Sequence, residues 1–168
     1  MGVWLADVCA NKLVFLDIKT PKYIHSQKMF WLLEQLSILT TRRKRSGAGR
    51  LTRNSKLFKS IINAIQEKKG ENIISLDLRK IPEAVADFFI ICEAGSSTQV
   101  KAIADFIEHH TKQTVKEVPY RTEGQQGGQW VLVDFINVVV HVMQPETRKF
   151  YKLEDMWHDA EGEEHTTV

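Results

Sequence analysis

The sequence predicts an α/β protein, a mixed sheet flanked by helices. Three observations lead there. Phe88-Phe89-Ile90-Ile91-Cys92 is a continuous apolar run of the kind that fills a central strand buried on both faces. Residues 57–65 and 100–107 repeat apolar side chains at helical spacing. Residues 130–135 and 138–143 are two β-rich runs too close together for a crossover, so they pair as an antiparallel hairpin.

The elements follow in order. Asn54 or Ser55 caps a helix whose apolar face is Leu57, Phe58, Ile61, Ile62 and Ile65, and Gly70 ends it. Ile74, Leu76 and Leu78 alternate with Ser75 and Asp77, which is the period of a strand. A loop at Pro82 leads to the apolar strand. Ser96, Ser97 or Thr98 then caps a second helix with Val100, Ile103, Ala104 and Ile107 facing inward. A short strand is expected over 115–118, followed by a mobile loop rich in Gly and Gln over 120–129. After the hairpin, Pro145 suits the first turn of a terminal helix carrying Phe150, Leu153, Met156 and Trp157, with Phe150, Leu153 and Trp157 as its buried stripe. The acidic tail over 159–168 is expected to fray.

Charge divides the chain. The 168 residues carry a net charge of +2, but residues 1–56 hold 11 Lys and Arg against three acids, a net of +8. Residues 57–168 hold 12 basic and 18 acidic side chains, a net of −6. The run Arg42-Arg43-Lys44-Arg45, followed by Ser, Gly, Ala and Gly, reads as a flexible basic linker. The expected organisation is therefore a basic extension over 1–55, a folded domain over 56–160 and an acidic tail over 161–168. Within 1–41 no period is sustained; a disordered leader, an organelle transit peptide and a non-native upstream start are the three alternatives. No window reaches the ~20 apolar residues of a membrane span. Cys9 and Cys92 form neither a disulfide framework nor a metal spacing. A reducing, cytoplasmic setting fits them.

The chemical motifs are weak when taken singly. Ala94-Gly95-Ser96-Ser97 joins a buried strand to a helix start, where backbone N–H groups could receive an anion. A Gly-Ser there is also found in nucleotidyltransferase folds, but that chemistry needs two or three carboxylates to hold magnesium. Asp134 stands alone, because its same-face neighbour is Ile136. A turn and a helix cap is the better reading. Gly124-Gln125-Gln126-Gly127-Gly128 lacks the Lys-Ser/Thr of a phosphate loop and precedes a strand. None of the six histidines has metal-ligand spacing. No catalytic residue, metal or cofactor is expected.

Period-2 alternation places Trp130, Leu132 and Asp134 on one face of the hairpin, with Val139, His141 and Met143 on one face of the return strand. Both faces of the hairpin are apolar, so one of them is either covered or open to a partner.

These segments occur together in fixed order: Ala86-Asp87 with the apolar strand, Gly95 to Asp105, Trp130 to Asp134, Val138 to Met143, and Glu146 to Glu154 with Met156-Trp157. Over residues 56–160 they resemble the ribosomal silencing factor, or iojap-like, family. The resemblance implies a nucleotidyltransferase-like α/β fold without catalytic carboxylates, and no enzymatic activity. It implies binding to the fourteenth protein of the large ribosomal subunit, which blocks small-subunit joining and represses translation. Family members often appear as homodimers, and organelle relatives act in large-subunit biogenesis. The resemblance carries a partner-binding surface onto Trp130, Leu132, Asp134, His141, Met143, Arg148, Tyr151 and Glu154. Ile136-Asn137 replaces the family's common Gly-Asp turn, and Thr98 replaces a common Arg. A domain at −6 is repelled by RNA phosphates and attracted to a basic protein, so sequence-specific nucleic-acid binding and membrane binding are not expected.

Overall fold

The computed structural model describes residues 3–7, 12–16, 51–82 and 84–166. Two compact units divide the chain, Met1–Arg45 and Ser46–Val168. In the first, β1 (Val3–Asp7) and β2 (Lys12–Leu16) pair antiparallel, with Val3 opposite Leu16. A leader without a period was expected there; the paired segments are Val-Trp-Leu-Ala-Asp and Lys-Leu-Val-Phe-Leu, both rich in strand formers. The basic linker lies outside the described residues.

In the second unit, α1 (Lys56–Glu67) starts at Ser55, whose hydroxyl accepts the Phe58 N–H at 3.2 Å. It buries Leu57, Phe58, Ile61, Ile62, Ala64 and Ile65. The left-handed residue that ends it is Lys69, at φ 56°, and not Gly70. The Lys69 and Gly70 N–H groups then close on the Gln66 and Ile65 carbonyls. Gly70 is required for a different reason. A Cβ there would stand 2.4 Å from the Ile65 side chain.

The sheet runs β5-β6-β7-β4-β3-β8, built from β3 (Glu71–Asp77), β4 (Phe88–Glu93), β5 (Arg121–Glu123), β6 (Trp130–Asp134), β7 (Val138–Met143) and β8 (Glu161–His165). Among the described strands only β4 and β7 pair in parallel, with Phe88 opposite Val138 and Glu93 opposite Met143. The chain reaches β7 after crossing through α2 (Ser97–Thr114), and the α/β fold with a mixed sheet is the one the sequence predicts. One sheet face, through Phe88, Ile90, Cys92, Val131, Val133, Val138, Val140 and Val142, packs with α1 and α2 into the main core.

Three further sequence expectations change. Residues 115–118 form no strand, because α2 continues to Thr114; Lys116 then turns at φ 62° and Val118 is 61% exposed. The terminal helix is two pieces, α3 (Pro145–Tyr151) and α4 (Leu153–Met156), broken at Lys152 with φ 48° and ψ 57°. That break turns Phe150 to solvent and leaves Leu153 buried. The described part of the acidic tail, to residue 166, does not fray. β8 lies antiparallel to β3, with Ser75 opposite Glu163. Arg53 and Lys80 pair with Glu163 and Glu161, and the His165 ring bonds Ser75 Oγ at 2.9 Å.

The hairpin turn holds Ile136 at φ 73°. Asp134 Oδ1 accepts the Ile136 N–H at 2.7 Å, and the Asn137 carbonyl receives the Asp87 and Phe88 N–H groups. A β-branched residue in the left-handed region is strained, whereas asparagine tolerates it. Ile136→Asn is expected to stabilise the fold by about 1 kcal/mol, read as a higher thermal midpoint.

Candidate functional site

The second face of the sheet carries the candidate surface. The ladder puts Trp130 opposite Met143, Leu132 opposite His141 and Asp134 opposite Val139, so the two sets that alternation gave strand by strand share a face. β7 ends where the Ala94 N–H bonds the Met143 carbonyl, and Pro145 opens α3 at once. The chain therefore folds back beside the strand it has just left.

An aromatic group results. The indole N–H of Trp130 donates to His141 Nδ1 at 3.2 Å, and the two rings tilt together at 5.7 Å. Tyr151 lies 4.9 Å from Trp130, ring centroid to ring centroid. Phe89 meets His141 edge-on at 4.9 Å and Trp157 at 5.5 Å. Phe89 and Trp157 were not assigned to this surface from sequence; the signal for Phe89 was the two-sided apolar run of its strand.

The eight residues carried over to a partner surface separate by depth. Trp130, Tyr151 and Glu154 are partly accessible. Leu132 is at the margin, 9% exposed. Asp134, His141, Met143 and Arg148 are 8% exposed or less, so in the isolated chain they face the interior. Asp134 fixes the hairpin turn through Ile136. Arg148 ties three segments together: Nε to Glu154 at 2.6 Å, Nη1 to Glu93 at 2.9 Å and Nη1 to the Asn72 carbonyl at 2.7 Å. Burial pushes the His141 pKa down to about 3, so its ring is neutral at physiological pH. Beside Arg148 opens a cleft of about 1030 Å³, lined by Glu71, Glu93, Lys149, Lys152 and Glu164 among others.

The rival chemical sites are internally occupied. Ser96 caps α2 by accepting the Gln99 N–H at 3.2 Å, while the Gly95 N–H is taken by Gln99 Oε1 at 3.2 Å. The glycine-rich loop, expected to be mobile, is tied to α2 through Lys101 to the Gln126 carbonyl and Gln125 to Asp105. A Cβ on Gly128 would strike Lys101 and Ser97 at 2.6 and 2.9 Å. Burial raises the Cys92 thiol to about 12, which leaves it protonated and unreactive. Among the described residues, no three His, Cys, Asp or Glu side chains are grouped to hold a metal ion. No described helix is long and apolar enough to cross a membrane.

A family model described as "Ribosomal silencing factor during starvation" matches residues 52–168. The chain belongs to the ribosomal silencing factor family. The match extends through β8, beyond the limit of 160 that the sequence motifs suggested. A family member, the ribosomal silencing factor of Halalkalibacterium halodurans, is 38% identical over 107 residues, covering 64% of this chain and 90% of that protein. A Chromobacterium violaceum crystal structure is 36% identical, with a TM-score of 0.58, covering 61% of this chain and 84% of that one. Organelle relatives are similar too. The mouse protein named "Mitochondrial assembly of ribosomal large subunit protein 1" is 31% identical over 93 residues, 53% of this chain and 41% of that protein. The maize protein named "Protein Iojap, chloroplastic" is 32% identical over 101 residues, 60% of this chain and 43% of that protein.

Proposed function

We propose that this family member binds the large ribosomal subunit through its fourteenth protein and blocks joining of the small subunit, so repressing translation without catalysis. The observation that carries this reading is the accessible Trp130–Tyr151 pair, which brings the hairpin strand β6 and the end of α3 together with ring centroids 4.9 Å apart. Aromatic side chains of this kind dominate protein interfaces when their surroundings are well packed. We assign direct contact to Trp130, Tyr151 and Glu154, with Leu132 at the edge. Asp134, His141, Met143 and Arg148 hold that platform from within. The net −6 of residues 57–168 favours a basic ribosomal protein over the RNA phosphates around it. Steric exclusion needs only an occupied surface, in the cytoplasm where free subunits meet.

The test is co-sedimentation with purified large subunits, followed by addition of small subunits. Trp130→Ala combined with Tyr151→Ala is expected to weaken binding at least about 100-fold, as paired hot-spot losses do, and to restore subunit joining. Unchanged co-sedimentation would remove the proposed surface. The name of the mouse relative favours a second reading, assembly of the large subunit in an organelle. It predicts accumulation of immature large subunits when the protein is absent, with no change in the joining of mature ones.

A further inference from the structure

His141 sits on β7 between Val140 and Val142, is 3% exposed, and its Nε2 has no hydrogen-bond partner among the described residues. A buried donor left unpaired costs the fold more than an aliphatic side chain would, so an imidazole at this position calls for a role that valine cannot fill. Its other nitrogen supplies one. Nδ1 accepts the Trp130 indole N–H at 3.2 Å, which requires a neutral ring with its proton on Nε2. Phe89 packs edge-on against the imidazole at 4.9 Å, so the acceptor is held in place by the strand next to it. The indole is then fixed by a directional bond to His141 and by contact with Tyr151.

We propose that His141 is a positioning residue for docking: its ring, anchored by Phe89, locks Trp130 in the orientation in which it meets the ribosomal protein. The inference rests on the docking reading above and adds to it how the surface is kept ready. Trp130 is already ordered in the free protein, so binding does not bear the entropy of immobilising it. His141 touches no partner and acts only through Trp130.

The experiment compares the full-length wild type with His141→Phe and His141→Asn. Nitrogen-15 NMR of the wild-type imidazole is expected to show the proton on Nε2, and the Trp130 indole N–H to exchange slowly. His141→Phe shifts and speeds exchange of the indole signal, and weakens affinity for large subunits about five-fold. His141→Asn, whose side-chain oxygen stands near the place of Nδ1, recovers both. Wild-type affinity in His141→Phe with a displaced indole signal overturns the proposal. So does a wild-type ring protonated on Nδ1, which needs no variant to fold. If Trp130→Ala also binds normally, the docking reading is what fails, and the NMR signals still decide whether His141 holds the indole.

Discussion

Arg148→Met is expected to destabilise the fold by about 3 kcal/mol, the largest loss from a single substitution on this face. The guanidinium is 8% exposed and serves Glu93, Glu154 and the Asn72 carbonyl at once. Removing it leaves two carboxylates facing each other beneath α3 and strands a backbone acceptor. Breaking a buried pair from one side costs about 3–5 kcal/mol. The lower end applies here, because the Glu93 and Glu154 side chains keep 16% and 27% of their exposure and can partly rehydrate. Urea unfolding measures the loss. Adding Glu93→Gln and Glu154→Gln to the methionine variant is expected to recover part of it, since the uncompensated charges are then gone. A loss below about 1 kcal/mol would place these ions in the class of surface pairs. Because Arg148 joins α3 to α4 across the Lys152 break, the same variant should also displace Tyr151 and weaken the docking proposed above.

Acidification from pH 7 to pH 5 is expected to remove about 2 kcal/mol of stability through His141 alone. Burial pushes this imidazole from 6.5 down to about 3 in the folded protein. Between those values the unfolded chain takes up a proton that the folded chain refuses. Stability is therefore complete above pH 6.5 and falls by about 1.4 kcal/mol for each pH unit below it. The His165 pKa is also lowered, mainly by burial, so it adds to the slope in the same direction. The Asp77 carboxyl, held down chiefly by its hydrogen bond with Arg79, contributes only at more acid pH, where the unfolded carboxyl protonates. Chemical denaturation at intervals from pH 7.5 to 5 gives the slope. His141→Phe should flatten it to the His165 remainder, and an unchanged slope would assign the acid sensitivity to other groups.

What the sequence made legible follows from which signals are local. The Phe88–Cys92 run and the hairpin depend on near neighbours and are found as read, and the caps fall on Ser55 and Ser96, each among the two or three candidates the sequence offered. β8 was not legible, because Glu-Gly-Glu-Glu-His lacks the branched and aromatic residues of a strand. It is extended because β3 offers an open edge and Arg53, Lys80 and Ser75 supply partners distant in sequence. The Lys152 break was hidden for a related reason, since an i, i+3, i+7 pattern does not reveal a left-handed residue inside it. At the candidate site, alternation grouped Trp130, Leu132 and Asp134 in one strand and His141 and Met143 in the next, and the ladder register puts the two sets on one face. It could not say how deep each lies, because depth depends on how α3 and α4 return over the sheet.

The parallel pair at the centre of the sheet has a consequence for synthesis. β4 has no inner neighbour until Val138–Met143 has emerged, and β3 keeps an open edge until Glu161–His165 follows. Chains emerge from the N-terminus, and such long-range pairings cannot form on a partial chain. The sheet therefore closes on both sides only after residues 161–165 have emerged. Until then β3 presents an unpaired edge, and the surface built on the other side of the sheet rests on an unfinished scaffold.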